Sequence, residues 1–239
     1  MIAKRKHPML IVANNLWSGY RTSLIGYWII FVAIFVGIHL GLPINMSKEL
    51  GIGEGIWAGA SISPKIYLLV IGILLTPVSL SSFVSSGITR KHFVGGAMLF
   101  TLLMSLISAI VMVVGFPVER LLTDWFGGQE ILVTPPLLQS GVEFFLGFLG
   151  YFAIGWMIGS GFYRFSWQSG IAISILSLVP IIFIEMVSGT GPIELFGYTM
   201  TRPSVSFMVE MLLVLLIVCI IMALNYGMHR TVAIKRKLI

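Results

Sequence analysis

Six apolar runs constrain this chain more than any other feature: Ser23 to Leu42, Ile66 to Val84, Val94 to Val114, Leu137 to Ile158, Ile171 to Val187 and Val205 to Leu224. The hydrocarbon core of a bilayer is about 30 Å thick, and roughly 20 apolar residues in a helix cross it. Six such runs with short connections use nearly all of the 239 residues and leave no room for a sizeable soluble domain. Only 10% of residues carry charge, against roughly 25% in soluble domains, so lipid is the main solvent. Lipid offers the backbone no hydrogen bonds, which makes every span helical. The expected fold is therefore all-α, a single polytopic membrane domain covering residues 1–239. Pro77 and Pro180 fall inside the second and fifth runs, where each removes a helical hydrogen bond and predicts a kink.

The placing of the charges orients these spans. Lys4, Arg5, Lys6, Arg21, Arg90, Lys91, Arg164, Arg230, Lys235, Arg236 and Lys237 fall on one side, and Lys48, Lys65, Arg120 and Arg202 on the other. The positive-inside rule puts the first group, and with it both termini, in the cytoplasm of a plasma-membrane protein. Glu49, Glu54, Glu119, Asp124, Glu130 and Glu194 all fall in outer segments. Topology thus accounts for the net charge of +6, and nucleic acid is not an expected partner. The first residues are basic, but Asn14, Asn15 and Ser18 break the stretch after Pro8, a poor signal-peptide core, so the N-terminus is expected to be retained. Residues 1–22 read as a cytoplasmic amphipathic segment and residues 225–239 as a basic cytoplasmic tail. Within the former, Leu10, Ala13, Leu16, Trp17 and Tyr20 recur at helical spacing. They suit either a helix on the inner membrane surface or the first turns of a longer first span.

Carboxylates inside spans are functional candidates by default, because a charge in hydrocarbon is costly. Glu143, Glu185 and Glu210 are the three here. Helical rise puts them roughly 9, 3 and 8 Å from the outer ends of their runs. They form a candidate outer vestibule, with Glu185 shallow enough to be interfacial. Gly147, Gly150, Gly155 and Gly159 recur along the fourth run, and the last pair has the Gly-x-x-x-Gly spacing that lets helices approach closely, within one chain or between two. Trp28, Trp57, Trp125, Trp156 and Trp167 lie mostly near run ends, as interface anchors do.

Enzymatic chemistry finds no support. No phosphate-loop pattern and no His-Glu-x-x-His occurs, and Cys219 is the single cysteine. His39 near the outer end of the first run cannot meet Ser160 at the inner end of the fourth, so a serine dyad is not expected. No catalytic residue, metal site or cofactor is therefore expected in this chain.

The connection after the second run, Ser85-Ser86-Gly87-Ile88-Thr89-Arg90-Lys91-His92-Phe93, is compact, basic and able to form a short helix below the membrane. With six spans, an amphipathic N-terminal segment and a third run opening Val94-Gly95-Gly96, it resembles the ABC-2 type transporter permeases, above all the small six-span permeases of Gram-positive bacteria. The match is sharpest over Phe83 to Met98. The resemblance implies that Ser86, Gly87, Ile88, Thr89, Arg90, Lys91, His92 and Phe93 form the coupling element that docks into a cytoplasmic ABC ATPase subunit. It further implies that Met9 to Tyr20 is a connector helix, that a second permease copy or sister permease completes the channel, and that ATP belongs to the ATPase partner. Such permeases carry short re-entrant helices before the last span, and Ser188 to Pro192 followed by Ile193 to Met200 suits them, as it equally suits an ordinary outer loop. The implied activity is export of a hydrophobic or amphipathic peptide, antimicrobial or lipid. Two other readings fit the same residues: a proton-coupled secondary transporter using Glu143 and Glu210, and a non-transporting immunity or scaffold protein.

Overall fold

The computed structural model describes residues 7–41, 56–126, 136–188, 193–195, 198–200 and 206–230. Its helices are α1 (Pro8–Gly41), α2 (Ile56–Gly59), α3 (Ile62–Ser85), α4 (Arg90–Phe126), α5 (Leu137–Arg164), α6 (Trp167–Leu176), α7 (Leu178–Ser188) and α8 (Phe207–Arg230), with strands β1 (Ile193–Leu195) and β2 (Tyr198–Met200) before the last. Six helical stretches are long and apolar enough to cross a membrane, so the expected polytopic helical fold is present. The described residues between α7 and α8 pair as an antiparallel hairpin, Glu194 opposite Thr199. Strands thus stand at Ile193–Leu195 and Tyr198–Met200, where the sequence suited re-entrant helices and an ordinary outer loop equally. Of the charges used for orientation, Lys4, Arg5, Lys6, Lys48, Glu49, Glu54, Glu130, Arg202, Lys235, Arg236 and Lys237 lie outside the described residues.

Helix α5 is the axis of the bundle. Every residue from Leu146 to Gly161 is buried, and α3, α4, α6, α7 and α8 all pack on it. Its closest partner is α3, for a reason written in its glycines. A Cβ on Gly155 would overlap the Leu69 carbonyl, one on Gly159 the Ile73 carbonyl, and one on Gly72 would lie 2.7 Å from the Trp156 backbone nitrogen. The Gly-x-x-x-Gly pair therefore serves packing within the chain, backbone against backbone. Pro77 has no N–H to give to the Ile73 carbonyl four residues earlier. That same carbonyl meets Gly159, and α3 runs through Pro77 unbroken. Pro180 acts differently: the fifth run breaks at Ser177, where the Leu176 carbonyl would have met the proline ring.

The N-terminal segment is not a separate surface helix. Met9 to Tyr20 continues without interruption into the first span, as one helix of 34 residues. Val12 packs at Gly96 and the Tyr20 ring lies 5.5 Å from Phe100, so eight residues of α1 cover four of α4 and the crossing is oblique. The tryptophans divide. Trp125 and Trp167 are 81% and 68% exposed, as anchors should be, whereas Trp28, Trp57 and Trp156 are buried. Trp57 sits over Gly115, where a Cβ would overlap its ring. Its indole N–H donates to the Met112 carbonyl at 2.8 Å, and its backbone N–H to Glu119 Oε1 at 3.0 Å.

Candidate functional site

Depth in the bundle can be read against α5. A Cβ on Gly150 would lie 2.7 Å from Ile184 Cδ1 and 3.5 Å from Val218 Cγ2, so these residues of α7 and α8 are level with it. Gly150 is at the middle of the 28-residue α5. At this level Lys65 Nζ meets Glu185 Oε1 at 2.6 Å, and the Tyr151 hydroxyl donates to the same oxygen at 2.8 Å. The Lys65 ammonium also stands 5.6 Å from the centre of the Tyr151 ring. Gly147 leaves room for the lysine stem, since a Cβ there would come within 3.8 Å of Lys65 Cε.

One expectation is corrected here: Lys65 is no outer-loop charge but stands in α3 as an ion-pair partner within the bundle. Relative to α5, Glu185 lies deeper than its place in the fifth run suggests, because α7 stops at Ser188, well short of the end of α5. Residue by residue from the Gly150 level, Glu143 and Glu210 stand about 10–12 Å nearer the far end, Glu185 being the deepest of the three. The structure therefore sets Glu143 and Glu210 at one level, on the contacting helices α5 and α8. Glu185 lies apart from them, with Lys65.

A second polar group lies toward the opposite end, which carries Arg90, Arg164 and Arg230. Thr76, Ser160, Asn225 and His229 are buried together beside Trp156. A carbonyl can only accept, so His229 Nδ1 donates to the Asn225 carbonyl at 2.7 Å. In the neutral ring Nε2 is then an acceptor, and the Thr76 hydroxyl at 3.0 Å is placed to donate to it. Thr76 Oγ1 in turn accepts from the Trp156 indole at 2.9 Å. Ser160 donates to the Trp156 carbonyl at 2.7 Å, with its oxygen 3.3 Å from His229 Nε2. Asn225 donates to the Ala153 carbonyl at 3.0 Å, tying α8 again to α5. A histidine therefore does stand beside Ser160, contrary to expectation: His229, from a stretch read as tail, because α8 runs on to Arg230. The Ser160 hydroxyl is placed to donate to a backbone carbonyl. This knot ties α3, α5 and α8 together.

The segment expected to couple to an ATPase lies just below the knot. No separate helix forms. Ser86 ends α3, Gly87 takes φ 83°, and Ile88 N donates to the Phe83 carbonyl while Gly87 N donates to that of Val84, both at 3.1 Å. These paired bonds around a left-handed glycine are the Schellman closure of a helix end. Thr89 then starts α4, its hydroxyl 2.8 Å from His92 Nδ1. Arg90, Lys91 and His92 form the first turn of α4, and Phe93 is fully buried, its ring 6.2 Å from that of His229. Arg164 reaches the Met228 carbonyl at 2.7 Å, closing the end of α8.

Sequence reasoning missed Lys65, Tyr151, Thr76, Trp156, Asn225 and His229. The available signal was polar residues continuing the apolar periodicity past the run ends, as Asn225 and His229 do at a spacing of four. No family model matches the chain, and no curated protein or solved structure is detectably similar to it.

Proposed function

We propose that this chain is the membrane permease subunit of an ATP-driven exporter, worked from the cytoplasm by a separate ATPase that holds the ATP. The observation that carries the reading is the connection between α3 and α4. It is a tight turn closed by backbone bonds on one side and capped by Thr89 on the other, and it presents Lys91 exposed beside half-buried Arg90. A flexible loop would dissipate a push; this one passes it into two spans at once. Phe93 and the His229 knot directly behind it offer a route onward to α5 and α8. The basic end faces the cytoplasm in this reading, a second copy or sister permease completes the pathway, and the cargo is hydrophobic or amphipathic.

Copurification with a tagged ATPase subunit tests this. Wild-type protein should retain the ATPase, and Arg90→Ala with Lys91→Ala should lose it while remaining folded. An association indifferent to both changes would remove the docking assignment.

One observation favours a second reading, proton-coupled transport. An ion pair in the middle of the bundle, where such transporters keep their sites, makes Glu185 a better proton carrier than Glu143 or Glu210. Uptake driven by a pH gradient in proteoliposomes containing this chain alone would select that reading over the first.

A further inference from the structure

Three buried polar groups have no part in the ion pair or the knot. The Trp28 indole N–H and the Ser105 and Ser108 hydroxyls are shielded from solvent, and none has a hydrogen-bond partner among the described residues. Register brings them to one place. From Tyr20, which meets Phe100, to Phe35, which meets Trp57 over Gly115, α1 and α4 advance in step, so Trp28 stands level with Ser108. Ser105 lies about a turn below, on the same side of α4. On α5, the ring contacts of Phe100 with Phe152 and of Phe116 with Phe144 bracket this level, which fully buried Phe148 shares. Trp28 itself belongs to the stripe Val12, Leu16, Leu24, Trp28 and Phe35 that α1 buries in the bundle. A helical serine or threonine can return its proton to the carbonyl four residues back, as Thr101 does to Ala97 at 2.9 Å. Ser105 and Ser108 do not, so both hydroxyls are left for a partner between the helices.

Leaving three such groups unpaired in a dry interior is costly, and native structures rarely do it. The groups state which partner suits them. An indole N–H only donates and so needs an oxygen, whereas a hydroxyl donates and accepts. From Thr22 to Gly37 in α1 and from Phe93 to Val118 in α4 no residue is charged, so nothing there would offset the desolvation of an ionic head. The charge that α3 brings near this level, Lys65, is taken up by Glu185. A way in lies beside the group. Tyr27, whose ring is 5.4 Å from that of Trp28, stacks on Tyr67 of α3 at 4.1 Å. Two hydroxyl pairs hold this seam, Tyr27 with Ser63 at 3.0 Å and Ser23 with Tyr67 at 3.1 Å. The second pair is exposed, and on the same stretches of α1 and α3 Ile25, Ile29, Ile66 and Val70 present apolar surface to lipid.

We infer that Trp28, Ser105 and Ser108 bind the hydroxyl or carbonyl oxygen of a neutral amphiphile that enters from the bilayer beside the tyrosine seam of α1 and α3. The inference rests on the permease reading and gives its cargo an uncharged, oxygen-bearing head on an apolar tail.

The test uses full-length protein in nanodiscs of phosphatidylcholine, photolabelled with a diazirine-bearing long-chain alcohol and mapped by mass spectrometry. Adducts should fall on α1 and α4 within about two turns of Trp28 and Ser108. Decanol should protect at a bilayer concentration about tenfold or more below that of decylammonium. Trp28→Phe keeps an aromatic ring without the N–H, and Ser105→Ala/Ser108→Ala removes both hydroxyls. Each should weaken protection by decanol about three- to tenfold, the range of a neutral hydrogen bond. Neither should lower the thermal stability of the empty protein, because no protein partner loses a bond. Adducts elsewhere, equal protection by the ammonium, or protection unchanged in both variants would overturn the inference. Failure to label at all would leave water as the only occupant and overturn it too. Should the variants not fold, decane replaces them as a competitor on wild type: weaker protection than decanol supports the site, and equal protection overturns it. Competition by dioleoylglycerol added to the disc would support the site with a lipid hydroxyl as its source; decanol binding without that competition supports it with a free amphiphile. No ATPase is present in this assay. Labelling at the site with failed copurification would sink the exporter reading alone, and copurification without labelling there would sink this one alone.

Discussion

Replacing Gly155 with alanine tests the backbone contact on which the bundle is centred. The new Cβ would overlap the Leu69 carbonyl oxygen, with the Leu69 Cα 3.0 Å away. Ordinary carbon contacts lie at about 3.5–4.0 Å, so α3 and α5 must part locally by about 1 Å. No side-chain rotation relieves this, because the obstructing atoms are backbone. Overpacking of this kind costs about 1–3 kcal/mol, and alanine's better helix propensity returns at most about 1 kcal/mol. The net expectation is about 1–2 kcal/mol for Gly155→Ala, and similarly for Gly159→Ala at Ile73. The double variant should cost less than the sum, because one displacement of α3 relieves both clashes. Two controls calibrate the series: Gly147→Ala, whose nearest neighbour is Lys65 Cε at 3.8 Å, and Gly26→Ala, with nothing within 4 Å. Equilibrium unfolding in mixed detergent micelles reads the differences. If Gly155→Ala and Gly159→Ala match Gly26→Ala in stability, the two helices do not meet backbone to backbone.

Three further changes probe other contacts. Lys65→Met strands the Glu185 carboxylate and should cost about 3 kcal/mol, whereas Lys65→Met/Glu185→Met should recover most of it; a double variant no better than the single would mean that the pair is not the cause. His229→Ala leaves a cavity and removes the acceptor facing Thr76, a loss of about 3 kcal/mol by the same unfolding measurement, and stability equal to wild type would show that the knot contributes nothing. Gly115→Ala should push the Trp57 ring out of its slot. The Trp57 emission, isolated by subtracting a Trp57→Phe spectrum, then moves to longer wavelength, and an unmoved band would place the ring elsewhere.

Single residues show how far the sequence could be read. Gly155 and Gly159 announced a close helix contact by their spacing, because in lipid only small side chains let backbones touch, but the partner was Leu69 and Ile73 of α3, which no local pattern names. Glu185 was legible as costly and so as noteworthy. Its depth was not, because α7 ends below the rim of the bundle and depth was counted from the end of its own run. His229 went unseen because a polar residue after an apolar run looks like a tail until packing shows the helix continuing. The α3–α4 turn was recognisable from Gly87 and Thr89, yet its closure onto Phe83 and Val84 replaced the short helix expected there.

The sequence by itself determined that the chain crosses the membrane as six helices, because burying a backbone in hydrocarbon leaves no alternative and the apolar runs are of spanning length. It determined too which segments carry the bases that set apart one end of the bundle. Only the tertiary structure decided which polar groups share a level, since helices that pack in parallel or antiparallel bring together residues 65, 151 and 185, or 76, 160 and 229, at separations along the chain that carry no periodic signal. The charges in the spans were readable one at a time; their pairing depends on register between helices, and register is set by where glycines let backbones touch.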